Sequence, residues 1–91
     1  MEKVDKDHEQ HEIDLVIKTP LGVWRHRFPK TAKVQEVIDA VKQHFGFAAN
    51  GSYDLRLESN PNQALKPERT LVSYHMKDGD VLVFSDLGVG V

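Results

Sequence analysis

From Glu12 onward the chain alternates: Ile13, Leu15 and Ile17 are apolar, Asp14 and Lys18 are charged, and Val16 is the one aliphatic on the polar side. A period of two marks a strand with one face buried. The stretch "TPLG" supplies proline and glycine for a turn, after which Trp24, His26 and Phe28 alternate with Arg25 and Arg27. These two segments predict a β-hairpin. The period then changes: Val34, Val37, Val41 and Phe45 recur at spacings of three and four, with Ile38 beside them and Gly46 behind. That spacing predicts an amphipathic helix closed by a glycine, with Thr31 or Lys33 as its N-cap. Tyr53, Leu55 and Leu57 alternate against Asp54 and Arg56 as a third strand, and "SNPNQ" turns the chain. A short fourth strand is expected at Ala64-Leu65 before Pro67, and a last one from Val81 to Phe84 after the tight turn "KDGD".

Hairpin, helix, two strands, a compact connection and a strand make an α+β architecture. The sheet is expected to be mixed and four- to five-stranded, packed on one central helix, which is a β-grasp. Residues 1–11 are almost all charged or polar and predict a flexible leader, because they have too little apolar surface to offset ordering entropy. Residues 12–85 form the expected domain, and residues 86–91, "DLGVGV", a flexible tail.

Composition narrows the function classes. At 91 residues, 40% hydrophobic and 29% charged, the chain has room for one modest core and none for a separate catalytic domain. It contains no cysteine, which removes disulfides, thiolate metal sites and a cysteine nucleophile. Its net charge of -2 gives no global attraction to nucleic acid or anionic lipid, and neither is expected as a partner. No apolar run approaches membrane-spanning length and "MEKVDKDHEQHE" has no secretory core, so a cytoplasmic location is expected. His8 and His11, in "HEQH", stand three apart, but no further ligand accompanies them, and a solvated leader is the simpler reading. With no metal set, phosphate loop or nucleophile-base pair, the chain is not expected to be an enzyme or to carry a cofactor.

Several segments resemble ubiquitin-like proteins. "VIKTPLG" is similar to the family's first strand and turn, "VQEVIDAVKQHFG" to its central helix, and "RTLVSYHMKDGDVLVF" to its most characteristic stretch, through Leu71, Tyr74, Met76, a glycine turn and an alternating last strand. Measured forward from Arg69, the tail matches mature ubiquitin's in length, ending Gly90-Val91 where ubiquitin has two glycines. Bacterial ubiquitin-like proteins encoded beside activating enzymes, conjugating enzymes and JAB-type metalloproteases also look like this chain, and some of them need their tails trimmed.

The resemblance implies a protein modifier whose terminal glycine is adenylated and joined to target proteins. Gly90, or Gly88 after deeper trimming, would then be the conjugating residue. Val91, or Val89 to Val91, would be removed by a processing peptidase, since a β-branched residue crowds attack at its own carbonyl. Leu87 and Val89 would give the enzymes side chains to grip. Activating, conjugating and deconjugating enzymes, and the targets, are the implied partners. Arg25 and Arg27, with Lys18 and Arg56, suggest a basic stripe on the exposed sheet face. The apolar patch that ubiquitin carries there is weakened, with Val83, Ser85 and Arg56 in its place, which points to dedicated partners. His26 is expected at the core edge with a hydrogen bond. The competing readings are a non-covalent module of the YukD-like secretion-accessory kind and a sulfur carrier.

Overall fold

A computed structural model describes residues 11–89. The alternating segments form β1 (Glu12–Thr19) and β2 (Gly22–Pro29), an antiparallel hairpin in which Ile13 faces Phe28, Leu15 faces His26 and Ile17 faces Trp24. Directly opposed residues share a face, so this register assigns all six to the side that the helix covers. The helix α1 (Val34–Phe45) buries Val34, Val37, Ile38 and Val41, the stripe that its spacing predicts. Lys33, rather than Thr31, is its N-cap, and the Lys33 backbone N–H donates to the Glu36 carboxylate at 3.1 Å. At the other end Gly46 takes the left-handed conformation (φ 77°) and its N–H donates to the Lys42 carbonyl at 2.8 Å.

Three further strands complete the sheet: β3 (Gly51–Leu57), β4 (Asn60–Ala64) and β5 (Val81–Val89), in the order β2-β1-β5-β3-β4. The strand β5 lies in the middle, parallel to β1 and antiparallel to β3. This is the β-grasp, one helix on one face of a five-stranded mixed sheet. Its core joins Leu15, Ile17, Leu55, Leu82 and Phe84 from the sheet to the helix valines, with Leu71 and Met76 from the connection closing the far end. A single 3-10 turn, Val72–Tyr74, lies in that connection.

Three segments differ from expectation. The stretch read as a turn, "NPNQ", is β4 itself, an exposed edge strand; Pro61 is tolerated there because an edge needs donors on one side only. His26 is exposed rather than set at the core edge. Its ring stacks on Trp24 at 4.6 Å and meets Phe28 edge-on at 4.9 Å, because β2 is the other sheet edge. Finally, β5 does not stop at Phe84 but runs to Val89, so most of the expected tail is strand.

Leu15 is fully buried beneath α1. Leu15→Ala should cost about 2–5 kcal/mol of unfolding free energy through lost transfer energy and the cavity left behind, read as a lower urea midpoint with an unchanged slope.

Candidate functional site: the C-terminal strand and the outer sheet face

Of the residues expected to carry function at the C-terminus, Leu87, Gly88 and Val89 are described; Gly90 and Val91 lie outside the described residues, as does His8 of the proposed histidine pair. Among the described residues no cluster of metal-ligating side chains occurs. The segment from Asp86 to Val89 pairs with the start of β3: Tyr53 faces Asp86, Ser52 faces Gly88 and Gly51 faces Val89. The register skips Leu87, which is therefore the extra residue of a β-bulge. Bulging turns its side chain outward, and Leu87 is 60% exposed. Gly88 follows with φ at 94°, a conformation costly for a residue with a Cβ, and its N–H donates to the Asp86 carboxylate at 2.8 Å.

Aromatic packing anchors this two-stranded ribbon. Tyr53 stacks on Phe84 at 5.1 Å between ring centroids, Phe47 touches both rings, and the Tyr53 hydroxyl donates to the Ala48 carbonyl at 2.7 Å. Desolvation raises the Tyr53 pKa, and the Asp86 carboxylate raises it further by opposing a nearby phenolate. A Cβ at Gly51 would lie 2.4 Å from the Tyr53 hydroxyl oxygen, so a side chain there would displace the tip of the Tyr53 ring.

On the outer face the expected basic stripe is absent as a stripe. Each of its cations is matched by a carboxylate: Arg25 by Asp14 at 3.0 Å, Arg27 by Glu12 at 3.4 Å, Arg56 by Asp54 at 3.0 Å and Lys18 by Glu58. The acids that cancel it lie on β1, diagonal to Arg25 and Arg27 across the hairpin, on β3 two residues before Arg56 on the same strand, and just beyond β3. Arg56 also donates to the Pro61 carbonyl at 2.9 Å, tying β4 to β3. Exposed pairs of this kind contribute little to stability, but they leave a face of alternating sign. Across it Val23, Lys18, Val83 and Arg56 are register neighbours, so charges interrupt the apolar positions. Leu21 and Val23, 60% and 65% exposed, are candidate contact residues that the alternation pattern alone does not single out. Two aliphatics flanking the glycine of a hairpin turn were the available signal.

The fold is the ubiquitin-like β-grasp. No family model matches the chain, and no curated protein matches it. Solved structures do. Ubiquitin of Caldiarchaeum subterraneum is 23% identical, with a TM-score of 0.73 over 88% of this chain and 99% of that one. A designed protein based on ubiquitin is 17% identical, with a TM-score of 0.73 over 88% and 94%. The UBL domain of Plasmodium falciparum Dsk2 is 14% identical, with a TM-score of 0.70 over 82% and 97%. At these identities the likeness is one of fold, and it spans a ubiquitin and a UBL domain alike.

Because neutral Tyr53 is favoured in the fold, its contribution is present below the ordinary tyrosine pKa of about 10 and is lost as pH rises through the raised value. Asp86→Asn should lower the Tyr53 titration midpoint, followed by NMR of the tyrosine ring. An unchanged midpoint would mean that the Asp86 carboxylate does not sit beside Tyr53 in solution.

Proposed function

We propose that this chain is a ubiquitin-like protein modifier, not itself an enzyme, whose C-terminal glycine is activated by adenylation and joined to target proteins. The observation that carries the reading is the glycine-punctuated segment continuing directly from the central strand of a β-grasp, with Leu87 exposed beside it. A modifier needs no catalytic group of its own. It needs a stable body, a terminal carboxylate and a segment slender enough to enter an enzyme's nucleotide site, which glycines provide by lacking a Cβ.

In the proposed reaction a carboxylate oxygen of Gly90 attacks the α-phosphorus of ATP and pyrophosphate leaves. The acyl-adenylate carbonyl is then attacked by a nucleophile of the conjugating machinery, and AMP leaves with the bonding electrons. Val91 would hinder the second step through its branched Cβ, so a peptidase is proposed to remove it first; cleavage after Gly88 is the deeper alternative. The outer face, with its apolar positions separated by ion pairs, supports dedicated partners over general ubiquitin receptors. The non-covalent module has one observation in its favour: Leu21 and Val23 are exposed at the hairpin, away from the C-terminal ribbon.

The test is incubation with the cognate activating enzyme and ATP. The form ending at Gly90 should release pyrophosphate and be consumed, while the form ending at Val91 should not. If forms ending at Gly90 and at Gly88 both stay inert, the modifier reading fails and the non-covalent one is favoured.

A further inference from the structure

The ribbon formed by the ends of β3 and β5 constrains how the tail can be used. Val89 is paired with Gly51 and Gly88 with Ser52. Gly90 is the next residue in sequence after the last paired one, so a chain ending there has at most one residue, roughly 3.5 Å of reach, between the ribbon and its carboxylate. A carboxylate on Gly88 would lie inside the ribbon. Neighbouring strands are about 4.8 Å apart, so the paired tail is a double-width object that a channel shaped for one extended chain would reject. Unpaired from Asp86 onward, the five residues to Gly90 reach roughly 17 Å.

We propose that the first residues of β3, Gly51 to Tyr53, are a latch that holds the tail as a strand, and that the tail must unpair from them before its carboxylate can be activated. This rests on the modifier reading and adds regulation of the same site. The latch is built to open. Beyond Val83, β5 no longer pairs with β1, and the named β3–β4 pairs begin only at Arg56, so the ribbon is two strands wide. Two-stranded ribbons are marginal by themselves, and this one contains a bulge, a left-handed glycine and a glycine opposite Val89. Its keeper is Tyr53, fixed by Phe84, Phe47 and the Ala48 carbonyl, while the body of the sheet closes independently through Leu55, Leu82 and Phe84. Opening can thus be local, leaving the core intact.

Two variants adjust the latch without altering Leu87 to Gly90. Gly51→Val drives a side chain into the Tyr53 hydroxyl and should loosen it. The pair Tyr53→Cys and Asp86→Cys, at directly opposed positions in a chain with no native cysteine, should tighten it when oxidised. In the full chain, NMR should show cross-strand contacts between Ser52 and Gly88 and amide order parameters for residues 87–89 near about 0.85, falling below about 0.6 in Gly51→Val while core amides keep their values. With the form ending at Gly90, Gly51→Val should lower the apparent KM for activation roughly fivefold, because a larger fraction of molecules is competent. The oxidised pair should raise it relative to the same variant reduced, which lacks the Tyr53 ring and the Asp86 acceptor and should itself fall below the unmodified form. Order parameters below about 0.6 in the unmodified chain would overturn the latch and leave the modifier reading standing. A rigid tail with activation unchanged by either variant would also overturn it. Inert forms in every case, with the tail still rigid, would instead sink the modifier reading and with it the latch's role in activation.

Discussion

The structure depends on the pairing of β5 into the centre of the sheet. Parallel to β1 at Val81, Leu82 and Val83 and antiparallel to β3 along nearly its whole length, this strand joins the N-terminal hairpin to the later strands and sends Leu82 and Phe84 under the helix. Without it, β1–β2 and β3–β4 are two separate hairpins with one unshielded apolar face each. The same strand leads directly into the proposed reactive end. In the proposed account stability and function are therefore coupled through one segment: the fixed part ends near Phe84, and the part proposed to unpair begins at Asp86.

The boundary between them is set by what lies on either side. Up to Val83 the strand has neighbours on both edges and buried residues beneath; from Asp86 it has β3 alone, and Leu87 faces solvent. Tyr53 bridges the two regimes, packing on Phe84 of the core while paired to Asp86 of the tail. The outer face shows a similar balance. Its arginines are held by Asp14, Glu12 and Asp54, so the surface has little net field, and any partner must match a pattern of charges and scattered aliphatics rather than a single sign.

The fold was legible because alternation at Ile13, Leu15 and Ile17 and the helical spacing of Val34, Val37 and Val41 agree with the burial that the structure shows. What escaped was the extension of β3 and β5. Gly51, Ser52, Asp86 and Gly88 have weak strand preference, and each segment alone reads as loop; their pairing is a tertiary effect that local pattern does not carry. Pro61 and Asn60 concealed β4 in the same way. The hairpin ion pairs of the outer face were hidden for a different reason: Arg25 and Asp14 are eleven positions apart and meet only through the hairpin register. Leu87 and Gly88 were singled out for the tail, but the bulge that exposes one and the backbone conformation that requires the other belong to the folded ribbon.

The central claim is covalent attachment through a glycine of this segment. It is tested most directly by mass spectrometry of the protein isolated under denaturing conditions from the cells that make it. The account predicts species in which the chain, ending at Gly90 or Gly88, is linked by an amide bond to a side chain of another polypeptide. Recovery of every molecule as an unattached chain still carrying Val91 would contradict it.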